Sequence, residues 1–101
     1  MFVSGTTSSD ENGRVVGGCD PHAQAVRVLE KIETALRSAG AELSDVVRTR
    51  IFVTDMESWE AVGRAHGEFF GEIRPAATLV QVNRLIEPGL LVEIEADAVV
   101  S

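Results

Sequence analysis

Leu90-Leu91-Val92-Glu93-Ile94-Glu95-Ala96-Asp97-Ala98-Val99-Val100, residues 90–100, is the stretch on which the reading of the fold turns. Its side chains alternate without a break. Val92, Ile94, Ala96, Ala98 and Val100 form one face, and Leu91, Glu93, Glu95, Asp97 and Val99 form the other. Successive residues of a strand point to opposite sides of a sheet, so this is a strand with one apolar face and one acidic face. A second alternating run precedes it at Thr78–Leu85, with Val80 and Val82 as its apolar pair and Glu87-Pro88-Gly89 between the two. Two such runs joined by a Pro-Gly turn predict a β-hairpin.

Further upstream, Val46–Thr54 alternates as well, with Val47, Thr49, Ile51 and Val53 on one side and Arg48, Arg50 and Phe52 on the other. Two helical segments interleave with the strands. Asp20-Pro21 reads as an N-cap with proline at the first helical position. Val26, Leu29, Ile32, Leu36 and Ala39 recur at helical spacing, and Gly40 stops a helix over residues 21–39. Asp55–Ser58 starts a second helix carrying Trp59, Val62, His66, Phe69 and Phe70 on its apolar stripe, with Gly71 at its end. Gly63 and Gly67 weaken it by roughly 1 kcal/mol each relative to alanine, which suggests close packing against the sheet. The chain begins with a short strand, Phe2–Gly5, followed by a turn-rich loop over residues 6–18. The order strand, helix, strand, helix, strand, strand predicts an α+β fold: one sheet with both helices on one face.

A length of 101 residues suits a single domain over residues 1–101, burying roughly 65% of its unfolded surface. The net charge of −7 argues against nucleic acid as the main ligand. No apolar run approaches the roughly 18 residues that cross a bilayer, and Met1-Phe2-Val3-Ser4 lacks a basic, then apolar, secretory leader, so a cytoplasmic location is expected. Cys19 is the one cysteine and excludes an internal disulfide. In its Gly-Gly-Cys-Asp-Pro loop it reads as incidental rather than nucleophilic, with only His22 near and no triad. His66 reads as a half-buried packing residue and His22 as an exposed one. No phosphate-loop or Gly-x-Ser-x-Gly pattern occurs.

Two helices cover one side of a sheet. The other side would carry Arg48, Arg50 and Phe52 beside Leu91, Glu93, Glu95, Asp97 and Val99. Large apolar groups in line with charges predict a subunit interface in a cyclic homo-oligomer rather than a solvated surface. For the three carboxylates, ion pairing to Arg48 and Arg50 is the first reading and an acid–base role for one of them the second. Metal binding comes last, because no partner ligand has matching spacing. No metal and no cofactor is expected.

Several segments resemble the YjgF/RidA family, also called endoribonuclease L-PSP. They are Phe2-Val3-Ser4-Gly5, the run Asp-Val-Val-Arg-Thr-Arg-Ile-Phe-Val-Thr-Asp over residues 45–55, Glu68-Phe69-Phe70, Arg74-Pro75-Ala76, and Leu91-Val92-Glu93-Ile94-Glu95-Ala96. The resemblance runs from Met1 to Val100. It implies a chorismate mutase-like fold, a homotrimer, and small-molecule clefts between subunits. The best-known members hydrolyse enamines and imines to 2-oxo acids and ammonia. It also implies that Glu93 positions water and that Gly5, with Thr6 beside it, lines the cleft. The substrate-binding positions on the preceding strand fall on Ala77, Thr78 and Leu79. In the deaminases the first of these is a carboxylate-binding arginine within Pro-Ala-Arg-Ser; here it is Ala77. The resemblance therefore implies a branch without that arginine, either hydrolysing another imine-like substrate or acting as a non-catalytic binding or regulatory module. Ribonuclease activity, suggested by the older family label, is a distant third. Members usually carry a further strand before Phe2, so the resemblance implies either that the start of this chain is truncated or mis-assigned or that the family's first hairpin is absent.

Overall fold

A computed structural model describes all 101 residues. Strand β1 spans Phe2–Thr7, helix α1 Pro21–Ser38, strand β2 Val46–Val53, helix α2 Trp59–Phe70, strand β3 Ala76–Gln81 and strand β4 Val92–Ala98. Short 3-10 turns at Leu43–Asp45 and Met56–Ser58 lead into β2 and α2. The four strands form one sheet in the order β1-β4-β2-β3, and the helices pack on each other, with α1 against β1 and β4. This is the α+β architecture of one sheet and one helix layer anticipated from the alternation of segments, and the sheet is mixed.

The expected hairpin does not form. β3 pairs with β2 in parallel, while β4 pairs antiparallel with β2 on its other side and with β1 beyond. The Pro-Gly turn is real, since Leu90 N donates to Glu87 O at 3.1 Å. It serves a connection from one side of β2 to the other, however, and joins no paired strands. The reason lies in α2. A helix linking β2 to β3 provides the long crossover that parallel neighbours require, and this places β3 beside β2.

Helix α1 begins where its cap indicates. Asp20 Oδ1 accepts from His22 N at 2.9 Å and from Ala23 N at 3.4 Å, and Pro21 follows. Gly40 has φ 86°, the left-handed conformation a helix stop demands. The buried stripe is rotated from the expected one: Gln24, Ala25, Val28, Leu29, Ile32 and Leu36 point inward, Val26 is half-buried, and Ala39 is exposed. Gln24 is fully buried yet satisfied. Its Nε2 donates to Gly18 O and Gly89 O at 2.7 and 2.9 Å, and its Oε1 accepts from Leu91 N at 2.9 Å. One amide thus fastens α1 to the glycine loop and to the lead-in of β4.

Strand β4 follows its alternation. Val92, Ile94, Ala96 and Ala98 are buried among residues of α1, α2 and β2, while Val100 lies beyond the strand and is exposed. In β2 a bulge between Val46 and Arg48 turns Val46 inward and leaves Val47 exposed, not inward as the simple alternation had it. Two expectations for α2 also change. Trp59 is 55% exposed at the first turn, outside the apolar stripe. Gly63 and Gly67 lie on the outer side, where an added Cβ would meet nothing within 4 Å, so they make no close contact with the sheet. Gly71 ends the helix as expected, with a helical φ of −54°, and the chain reverses at Arg74, φ 55°, just before Pro75.

Candidate functional site

The sheet face away from the helices is organised in rows, because residues paired across strands project to the same side. One row is Glu93, Phe52, Val80. The next is Glu95, Arg50, Thr78. The third is Asp97, Arg48, Ala76. In the lower rows the charges meet: Arg50 Nη1 lies 3.2 Å from Glu95 Oε1, and Nη2 lies 3.1 Å from Asp97 Oδ2. The hydrogen bond that Arg50 donates to Asp97 first, and the surrounding charge of Asp97 and Glu95, hold the guanidinium's pKa above its ordinary value. The pairing expected from the sequence is therefore present for Arg50, whereas Arg48 is exposed and makes no ion pair.

Glu93 differs from its two acidic neighbours. It is half-buried, and its carboxylate has neither an ion-pair partner nor a hydrogen bond. It lies over Gly5: a Cβ built on Gly5 would come within 3.0 Å of Glu93 Cδ and closer still to a carboxylate oxygen. Gly5 sits in a bulge between Val3 and Thr6, where β1 bows past β4. The end of β1 is held by Lys31 of α1, whose Nζ donates to Thr7 O at 2.6 Å and to Ser9 O at 3.0 Å. Burial, with Arg27 nearby, pushes the Lys31 ammonium's pKa down.

The structure brings Gly5 and Glu93 together and separates the remaining expected site residues. Thr78 shares the open face, in the Arg50 row. Ala77 and Leu79 pair with Thr49 and Ile51, on the helix-covered side; Ala77 is exposed at the sheet's edge and Leu79 packs against the core. Thr6 pairs with Ile94, also a core-side position. β3 lies two strands from β4, roughly 9.6 Å at about 4.8 Å per strand. Within one chain, Ala77 and Leu79 do not face Glu93. Phe52 and Val80, not anticipated as site residues, share its row on one side, and Thr7 of β1 pairs with it on the other. Counting strand parity outward from Glu93 through Phe52 would have found them once the strand order was known.

His66 is on the covered side. Its Nε2 lies 2.9 Å from Thr49 Oγ1, its ring centroid is 4.8 Å from that of Phe70, and burial pushes its pKa below the ordinary histidine value. It is the packing residue its position in α2 suggested. The unfolded chain takes up this proton below about pH 6.5 while the folded chain still holds the ring neutral. The unfolded state then binds more protons, so stability is expected to fall as pH drops through 6.5 toward the lowered folded value. Urea midpoints between pH 7.5 and 5 check this, and His66→Gln should flatten that part of the slope. His22 is half-buried rather than exposed, and pairs with Glu68 across the helices at 2.9 Å. Cys19 is an exposed loop residue. Arg74 folds back toward Gly71 O at 3.5 Å, and not onto the open sheet face. The one concavity of the single chain, about 390 Å³ at the end of α2 between Gly67 and Ile73, lies in the helix layer and includes none of the expected site residues. No helix is long and apolar enough to cross a membrane.

The family model Endoribonuclease L-PSP matches residues 1–100. The chain belongs to the YjgF/Rid family. Rv2704 of Mycobacterium tuberculosis, a member of the YjgF/YER057c/UK114 family, is 54% identical, with 98% of this chain and 77% of that one aligned at a TM-score of 0.88. YyfB of Yersinia pestis, from the conserved Rid family, is 37% identical over 99% of this chain and 77% of its own, TM-score 0.89. Escherichia coli TdcF, solved with bound serine, is 30% identical over 99% of this chain and 80% of its own, TM-score 0.89. The chorismate mutase-like α+β fold expected from the YjgF/Rid resemblance is the fold observed.

Proposed function

We propose that this YjgF/Rid chain binds a small metabolite in clefts between the subunits of a homotrimer and hydrolyses an imine or enamine there, with Glu93 as the group that activates water. The observation that carries this reading is the isolated Glu93 carboxylate over Gly5, in a row with Phe52 and Val80 on one side and Thr7 on the other. A carboxylate that structure alone required would be paired, as Glu95 and Asp97 are. The serine bound to TdcF supports small-metabolite binding in this family. The separation of Ala77 and Leu79 from Glu93 supports a site completed by a second copy. So do the exposed apolar groups Phe2 (84%), Val99 (64%) and Val80 (40%).

The chemistry is brief. Water adds through its oxygen to the carbon of a C=NH2⁺ group while Glu93 accepts one of its protons. That proton passes to nitrogen, the C–N bond breaks as Glu93 takes the hydroxyl proton, and a carbonyl and ammonia leave, the ammonia picking up that proton to become ammonium. Ala77, at the position where the resemblance puts the family's carboxylate-binding arginine, supports a branch without that clamp. The same substitution favours the alternative, a metabolite-binding module without turnover.

The test is ammonia release from freshly generated imines, 2-aminoacrylate among them. Glu93→Gln is expected to lower turnover by about 10²-fold or more, the usual effect of losing a general base. Gly5→Ala, which displaces the carboxylate without touching the core, should cost about tenfold or more, since small misplacements of a catalytic group are felt strongly. Saturable binding without ammonia from any imine points to the binding module instead.

A further inference from the structure

We propose that the Glu93 site selects a small amine or imine that carries no carboxylate. This rests on the ligand-binding reading above and deepens it by naming the ligand class.

The charges of the open face decide the sign of the ligand. Glu93, Glu95 and Asp97 stand against Arg48 and Arg50. Arg50 is occupied on both nitrogens, one by each of two carboxylates. Arg48 is four residues along β2 from Phe52, roughly 13 Å at about 3.3 Å per residue, too far to share a small ligand with Glu93. Arg74 is turned toward Gly71. On this chain, then, no uncommitted cation meets the Glu93 carboxylate. Against this chain's side of the cleft an anionic ligand would face like charge with no counterion, whereas a protonated nitrogen would neutralise Glu93 directly.

The body of the ligand follows from the neighbours. Phe52 and Val80 extend the Glu93 row, Leu91 precedes Glu93 by two on the same side of the strand, and Gly5 leaves space beside the carboxylate. That lining suits a short hydrocarbon or ring carrying one nitrogen. A carboxylate would need several donors or a cation, and the row offers only the Thr7 hydroxyl, which already lies 3.4 Å from Ser9 Oγ.

Matched pairs that differ only in the carboxylate test this: ethanolamine against L-serine, and pyrrolidine against L-proline, titrated calorimetrically into the full chain at pH 7.5. Each amine is expected to bind about tenfold or more tightly than its amino acid, a preference that opposite charge at contact distance readily supplies. Glu93→Gln should reduce the preference to about threefold or less, as the charge and not the shape is removed. Serine or proline binding as tightly as its amine overturns the inference and leaves the metabolite-binding reading standing. A preference unchanged in Glu93→Gln overturns the assignment to Glu93. The absence of saturable heat from all four probes overturns both the inference and the reading it rests on.

Discussion

Phe52→Asp is expected to leave a folded chain that sediments as a monomer where the parent, on the proposed assembly, is expected to sediment as a trimer. Phe52 is half-buried at the centre of the open sheet face, between Glu93 on β4 and Val80 on β3. If a second copy covers this face, the aspartate is buried there without a partner. Desolvating an unpaired carboxylate costs several kcal/mol, enough to dissociate a modest interface. Within the monomer the new charge stands opposite Glu93 and costs about 0.2–1 kcal/mol, which a folded chain tolerates. Circular dichroism separates loss of assembly from loss of fold. Trp59→Gln is the control, since Trp59 is exposed on the helix layer and its loss should leave sedimentation unchanged. A Phe52→Asp chain that still forms trimers would remove the open face as their interface.

Phe70→Ala is expected to destabilise the fold by about 3–5 kcal/mol, the usual cost of emptying an aromatic site in a packed core. Phe70 is 2% exposed, closes α2 against the sheet, and stacks at a tilt on the His66 ring. Its loss opens a cavity and exposes the His66–Thr49 hydrogen bond to water. Urea denaturation at a fixed protein concentration reads the shift in midpoint, the concentration being held because subunit association contributes to apparent stability. A loss below about 1 kcal/mol would mean that the surrounding core collapses into the space.

The parts of this fold that were legible in the sequence are those whose signals are local. Asp20-Pro21 and Gly40 bracket α1 because caps act on adjacent backbone groups. The acidic-apolar alternation of 92–98 defines β4 because one face meets the helices. Strand pairing is different. Glu87-Pro88-Gly89 forms its turn, but whether a turn joins partners depends on where α2 has already placed β3, and no nearby residue records that. The bulge at Val47 is invisible for a similar reason, being set by the register against β4. Gly63 and Gly67 showed how little a glycine in a helix says about which side faces the sheet.

The site divides in the same way. Ion pairing of Arg50 followed from strand alternation. The proximity of Gly5 to Glu93 followed only from the family resemblance, since the two residues are far apart in sequence and meet through a bulge. The buried amide of Gln24 and the tether from Lys31 gave no signal in advance. A polar residue one position off a helix's apolar stripe looks the same whether it points out or in.

The strict alternation of β4 has a consequence for how the chain finds its structure. Slipping β4 by one residue against its neighbours would exchange its two faces. Glu93, Glu95 and Asp97 would enter the core, at several kcal/mol for each ion, and Val92, Ile94 and Ala96 would be turned out to water. No such slip can be partly right, so misregistered pairings are rejected early and steeply. The three carboxylates, Glu93 of the proposed ligand site among them, therefore also act as a proofreading device during folding, and replacing all three with small neutral residues should make the sheet's registration less certain before it makes the sheet less stable.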